Sequence, residues 1–381
     1  MKKKILVVTQ NFFPETFPIN DIIFKMKEFT TSVLTTYPTY PNYKLFDKYE
    51  RGKISTNISR HKNTKIIRVP SYPRKKNTTI NFVLTYLTFL TSGTIYGLFF
   101  YRKKIDYIFV YATSPVIQAL IGVFLKKINH KNAKLIVWVQ DLWPESIIET
   151  GYLKNKLLIK LIDKLINYIY KSCDIILTQS ETLKINIENK VKNKQIFYLP
   201  NPSKNFFLRN KTRDKKFNIL YAGNLGKVQN LHILLKLAKK LKNKSIGDID
   251  ILIAGKGSEE KNILNFKKKN KLNNLKFLGL KNFYEMKKLY SKADLVFLSL
   301  KKNNLSKLIV PSKFQAYLSS GKPIFTTLDG EVSKIIRETN CGFFCNTTNI
   351  NIITNKIIKI KNMPSRKLVF MGKRGKDYFS K

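Results

Sequence analysis

Short runs of β-branched and aromatic residues recur along this chain, each followed by a segment long enough for a helix. Ile5–Thr9, Ile66–Val69, Ile105–Tyr111 and Leu135–Val139 make one series; Phe217–Ala222, Ile249–Ala254, Leu275–Leu278 and Leu295–Leu300 make a second. Strands spaced by helical lengths pair in parallel through βαβ units, so the rhythm predicts an α/β chain. The polar, basic stretch Ser203–Lys216 interrupts it, which predicts two α/β domains, as suits 381 residues. A short echo agrees. Tyr170-Lys171-Ser172-Cys173-Asp174 precedes IILTQS and Tyr290-Ser291-Lys292-Ala293-Asp294 precedes LVFLSL, so each half closes a helix and opens a strand in the same way.

Charge narrows the partners. Lys+Arg number 71 and Asp+Glu 24, a net 71 − 24 = +47, yet the apolar fraction is 43%, enough for a core and too much for general disorder. The basic residues are mostly lysine, and Asn and Ile are also abundant, a pattern that an AT-biased genome produces unselected. The scarcity of acids still points to an anionic surface, either nucleic acid or lipid headgroups. Zinc, helix-turn-helix and RNP-like motifs are absent and Lys dominates over Arg, so no nucleic-acid partner is expected. Cys173, Cys341 and Cys345 have no CxxC spacing, which argues against a disulfide scaffold or a zinc site and for a reducing compartment. The apolar run Ile5–Val8 is too short for a secretory signal, so a cytoplasmic location is expected.

Residues 77–101 carry no charged side chain and are flanked by Arg74-Lys75-Lys76 and Arg102-Lys103-Lys104. The stretch is long enough to span a bilayer. Its threonines, Asn81, Ser92, basic flanks on both sides and position inside an α/β domain favour a helix lying in the membrane interface; a buried helix and a span are the alternatives.

Several strand ends carry candidate chemistry. The turn Gln10–Glu15 lacks the GxGxxG of a dinucleotide site. Asn20 and Asp21 fall where a helix should start and suit an N-cap. After Leu135–Val139 come Gln140-Asp141-Leu142-Trp143-Pro144-Glu145, with both tryptophans of the chain and two carboxylates near a strand end. Asp141 as a cap and Trp143 as core is the structural alternative; an acidic pair beside an aromatic platform is what a sugar hydroxyl would use. In the second half, Gly223-Asn224-Leu225-Gly226-Lys227 and Gly255-Lys256-Gly257-Ser258 follow strands, and Ser312-Lys313 should open a helix. Glycines admit close backbone approach, and helix N-termini and lysines favour a diphosphate. The residues alone thus predict two α/β domains, one binding a nucleotide diphosphate.

The chain resembles retaining family-4 glycosyltransferases of the GT-B fold, in particular the bacterial O-antigen, capsule and colanic-acid branch that includes fucosamine transferases. QNFFPETFPIND, TYPTYPNYKLFDKY, VWVQDLWPES with Thr150-Gly151, TQSE, YLPNP, YAGNLGKVQNL, IAGKGSE, FLGL, ADLVFLSL and VPSKFQAYLSSGKPI carry the resemblance in order. It implies two Rossmann-like domains with parallel sheets facing a central cleft. Residues 1–202 would bind the acceptor and 203–365 a nucleotide-sugar, usually a UDP-sugar, with a short segment 366–381 packing back toward the first domain. It implies donor contacts from Gly223, Asn224, Lys227, Gly255, Gly257, Ser312 and Lys313, acceptor contacts from Glu15, Asn20, Trp143 and Glu145, and Asp141 as the group that orients or deprotonates the acceptor hydroxyl. Lys227 and Lys313 would stabilise the leaving diphosphate, so no metal and no other cofactor are expected. The implied acceptor is a polyprenyl-diphosphate-linked sugar in an anionic inner leaflet, with the 77–101 stretch and the basic amphipathic segment Lys154–Lys171 against the membrane. The alternative for the latter is a core-facing helix. Two departures stand out. The family's two glutamates separated by seven residues are here Leu308 and Ala316, which keeps open a catalytically inactive subunit, and MGKRGKDYF ends the chain where a longer C-terminal helix is usual.

Overall fold

The computed structural model describes residues 2–39, 55–73, 78–149, 153, 155–208 and 216–380. Most of TYPTYPNYKLFDKY, Arg74–Lys76, Thr150-Gly151, Lys154 and half of the Ser203–Lys216 stretch lie outside the described residues. The chain divides into two compact units, Met1–Asn201 and Pro202–Lys381.

The first unit runs β1 (Lys4–Val8), α1 (Pro18–Ile23), β2 (Thr30–Thr36), β3 (Asn57–His61), β4 (Thr64–Val69), α2 (Thr79–Ile95), β5 (Tyr107–Ala112), α3 (Ala119–Ile128), β6 (Lys134–Val139), α4 (Glu145–Glu149), α5 (Lys156–Ser172), β7 (Ile175–Thr178), α6 (Glu181–Lys190) and β8 (Gln195–Tyr198). Its eight-stranded sheet has the order β3-β4-β2-β1-β5-β6-β7-β8. Only β3 runs antiparallel to its neighbour. The order reverses between β1 and β5, which makes their carboxyl ends the topological switch point.

The second unit runs β9 (Phe217–Ala222), α7 (His232–Asn243), β10 (Ile249–Ala254), α8 (Glu260–Lys269), β11 (Leu275–Gly279), α9 (Phe283–Lys292), β12 (Leu295–Leu298), α10 (Asn304–Leu308), α11 (Ser312–Ser319), β13 (Ile324–Thr326), α12 (Glu331–Thr339), β14 (Gly342–Phe344), α13 (Ile350–Lys361) and α14 (Ser365–Phe379). Its six strands, in the order β11-β10-β9-β12-β13-β14, are all parallel. Strand alternation puts Phe217, Ile219 and Tyr221 in one core with Leu234, Leu237 and Ile357. Leu220 and Ala222 enter the other, with Phe314, Tyr317 and Ile335. A sheet buried on both faces explains why these strands read as continuous apolar runs.

The sequence echo has a bonding basis. The Asp174 backbone N–H donates to Leu135 O at 2.9 Å, and its carboxylate accepts from the Leu135 N–H at 2.6 Å. Asp294 bonds Asn218 in the same two ways, at 2.9 and 2.8 Å, and Asp106 does so with Lys4 at 3.0 and 2.7 Å. In each case the aspartate before a strand closes the first rung with the start of its neighbour, satisfying an otherwise orphaned amide.

Helix α2 resolves the uncharged stretch. Thr85, Phe89 and Gly93 of α2 and Gly97 of the π-helical turn Tyr96–Phe100 that continues it, four residues apart, face inward, and a Cβ on Gly93 or Gly97 would press on Ile121 or Leu125 of α3. The opposite side exposes Ile80, Leu84, Leu87, Ile95 and Phe99. Ile80–Phe100 is long and apolar enough to cross a membrane, and four of its residues, Thr85, Phe89, Gly93 and Gly97, are buried. In α5 only the C-terminal half, with Ile166, Ile169 and Tyr170, is core, and Leu157, Leu158 and Leu161 are exposed. The C-terminal segment forms a fifteen-residue helix, α14, within the second unit. Gly372 of α14 lies so close to the Gly321 carbonyl after α11 that a side chain there would clash.

Candidate functional site

At the switch point of the first unit lies a cavity of about 310 Å³. Gln10 and Asn11 after β1, Thr113 and Ser114 after β5, and Asp141 after β6 form one side; Phe82, Thr85 and Tyr86 of α2 form another. The loops are tied together by Gln118, whose side-chain oxygen accepts from the Gln10 N–H at 3.0 Å while its amide donates to Thr113 O at 2.9 Å. Thr35 and Thr36 of β2 donate to Gln10 O at 3.0 and 2.8 Å. Asp141 accepts the Ser114 backbone N–H, and burial pushes its carboxyl pKa above the ordinary range.

Of the predicted acceptor residues, only Asp141 lines this cavity; the others support it or point elsewhere. Glu15 is buried, its carboxylate accepting the Thr39 N–H at 2.7 Å and the Asn11 amide at 2.9 Å. Asn20, read as an N-cap, sits inside α1 and donates to Glu15 O at 2.5 Å, bracing the same loop. The indole of Trp143 donates to Ser114 Oγ at 2.8 Å, so it positions a lining residue from behind. Glu145 is paired within the fold: Lys190 of α6 meets its Oε1 at 2.8 Å and Asp163 at 3.3 Å. Its Oε1 thereby braces α6, while Oε2 is buried with no hydrogen-bond partner among the described residues.

In the second unit the switch point falls between β9 and β12, and there the donor residues converge. Gly223 and Gly255 have φ of +145° and +146°, a region open essentially to glycine. A Cβ on Gly255 would run into the Gly223 carbonyl, and one on Gly257 into the Leu225 carbonyl. The two turns are laced by the Gly223 N–H donating to Ala254 O and the Leu225 N–H to Lys256 O, both at 3.0 Å. Lys313, one residue into α11, reaches this crook: a Cβ on Gly223 would sit 3.5 Å from its Nζ. Nζ donates to the Tyr221 hydroxyl at 2.5 Å and to the Gln229 side-chain oxygen, and lies 4.4 Å from the Tyr221 ring centre. Tyr221 donates onward to Asn224 O at 2.6 Å. With no carboxylate partner among the described residues, burial pushes the Lys313 pKa down to about 7. Asn224, Lys227 and Ser312 are exposed around the crook. Tyr221 and Gln229 were not singled out in the sequence; their only signal is that both fall inside YAGNLGKVQNL. Among the described residues no group of three or more His, Cys, Asp and Glu could hold a metal ion.

Comparison with known proteins places this geometry. Residues 203–378 match the family model described as "Glycosyl transferases group 1". An uncharacterized glycosyltransferase of Methanocaldococcus jannaschii is 24% identical over 222 residues, 56% of this chain; the match spans 57% of that relative. Sucrose-phosphate synthase from Thermosynechococcus elongatus superposes with a TM-score of 0.72 at 12% identity, covering 99% of this chain and 94% of that one. Anabaena HepE in complex with UDP gives a TM-score of 0.65 at 12% identity, with coverage of 99% and 94%. These likenesses give the fold, an α/β chain of the GT-B glycosyltransferase type with two Rossmann-like units. Residues 203–378, which hold the Gly223–Gly255–Lys313 crook, are similar to the group 1 glycosyl transferases.

Proposed function

We propose that this chain is a retaining, metal-independent glycosyltransferase of family 4 that moves a hexosyl or N-acetylaminosugar unit from a UDP-sugar to a polyprenyl-diphosphate-linked acceptor in cell-surface polysaccharide assembly, as in O-antigen or capsule. The observation that carries the reading is the lysine–glycine crook: Lys313 Nζ lies over the turn where Gly223 and Gly255 leave the backbone bare. A turn free of side chains, a half-buried ammonium and the α11 N-terminus suit a diphosphate. HepE, in the same fold, is a complex with UDP. The bond from the anomeric carbon to the β-phosphate oxygen breaks as the acceptor oxygen bonds to that carbon on the same face. The electron pair leaves on the diphosphate, where Lys313 and Lys227 offset it, and the acceptor proton passes to the departing phosphate oxygen with Asp141 orienting the hydroxyl. Two lysines performing the electrostatic work are the ground for expecting no metal.

The exposed apolar side of α2 supports placement at the inner face of the cytoplasmic membrane. Ile80 and Phe99 are 72% and 62% exposed, and Arg102, Lys103 and Lys104 follow them on the surface. An apolar helix face with lysines at its end suits an anionic leaflet. The substitutions at Leu308 and Ala316 favour the second reading, a subunit of the same fold without catalysis. UDP titration of the wild type, Lys227→Ala and Lys313→Ala decides the donor site: loss of binding in the variants is expected, and wild-type-like turnover in both would sink the assignment.

A further inference from the structure

The first-unit cavity sits in a chain with 71 basic residues, yet among its described lining residues there is no cation and a single acidic side chain, Asp141. Its other polar groups are neutral and partly engaged. Ser114 Oγ accepts the Trp143 indole N–H, leaving its own O–H to donate. The Asn11 amide nitrogen is held by Glu15, leaving the carbonyl to accept. Thr85 Oγ1 donates to Asn81 O, leaving lone pairs. Phe17, Phe82 and Tyr86 supply apolar faces. Rings and mixed donors and acceptors at about 310 Å³ suit one polyhydroxylated ring, at the small end of ligand cavities.

We propose that this cavity selects an uncharged sugar ring and rejects one bearing a carboxylate or phosphate, with Asp141 as the excluding group. The inference rests on the acceptor reading above and adds the charge class of the sugar. An acidic ring would bring a second anion beside a buried carboxylate with no cation among the described lining residues to offset either. One of the two would then have to be protonated. The diphosphate of a lipid-linked acceptor accordingly stays outside this cavity, where the chain's lysines can meet it. A neutral ring loses nothing to Asp141 and can donate a hydroxyl hydrogen to it.

The test uses the full chain and a matched pair of probes, methyl β-D-glucopyranoside and methyl β-D-glucuronide, which differ only in the C6 carboxylate. Ligand-observed NMR at pH 7.5 should find the glucoside bound about tenfold or more tightly than the glucuronide. In Asp141→Asn, whose folding is checked by thermal melt, the gap should close through tighter glucuronide binding. Lys190→Ala, remote from the cavity, should keep the full discrimination. Equal or tighter glucuronide binding by the wild type, no binding of either glycoside, or an unchanged gap in Asp141→Asn would each overturn the inference. UDP binding on the same samples reads the donor assignment separately, so the two can fail independently.

Discussion

Between pH 7.5 and 8.5 the affinity of this protein for UDP should fall by nearly an order of magnitude, and Lys313 sets that slope. In the free protein burial holds its pKa at about 7. Only the ammonium form pairs with a diphosphate. The sign follows directly: raising the pH through 7 empties the binding-competent form, so affinity drops. With the protonated form's affinity constant, the apparent dissociation constant scales as 1 + 10^(pH − 7), a factor of about 4 at pH 7.5 and about 33 at pH 8.5. The ratio, about eightfold, is about 1.2 kcal/mol. The terminal phosphate of UDP, with its second pKa near 6, is already ionised across this window and adds no slope. Calorimetric titration at the two pH values, repeated in buffers of different ionisation enthalpy, reads both the affinity and a proton taken up on binding. Lys313→Arg keeps a permanent charge and should flatten the slope. A flat wild-type profile, or an equal slope in the Arg variant, would refute the reasoning.

Other perturbations follow from the packing. Gly255→Ala combines a φ of +146° with a clash against the Gly223 carbonyl and should cost about 3 kcal/mol or more in urea unfolding; a loss under about 0.5 kcal/mol contradicts the crook geometry. Lys190→Ala removes the partner of Glu145 and Asp163 and should lower stability by about 1–2 kcal/mol while leaving turnover unchanged; lost turnover at full stability would return Glu145 to the acceptor site. Replacing Ile80, Leu84 and Leu87 together by Ser should weaken pelleting with anionic vesicles about tenfold or more without lowering the melting temperature. Unchanged pelleting would detach α2 from the membrane.

Much of the fold was legible where chemistry is local. Ile249–Ala254 and Phe217–Ala222 are strands with the bounds their apolar runs suggest, because a strand buried on both faces is apolar at nearly every position, here broken only by Asp250 and Asn218. The glycine turns were legible because a positive φ leaves little choice of residue. Strand β2, TTSVLTT, went unread because five of its seven residues carry hydroxyls. Thr35 and Thr36 are nonetheless interior, spending their hydroxyls on Gln10 O, a use that only the folded neighbour supplies. Lys313 stood out, but its partners Tyr221 and Gln229 lie 92 and 84 residues away and carry no mark of their own. Glu145 shows the converse. Beside two tryptophans it looked like a sugar contact, and in a chain so rich in lysine nothing singled out Lys190, 45 residues on, as the one that claims it.

The central claim is transfer from a UDP-sugar without a metal. The most direct measurement is nucleotide diphosphate release by the full chain on anionic vesicles, across UDP-, GDP- and dTDP-sugars, with and without EDTA and a lipid extract containing polyprenyl-linked acceptors. The account predicts release from a UDP-sugar that requires the acceptor extract and survives EDTA. Release abolished by EDTA, or no release and no nucleotide binding with any donor, would contradict it.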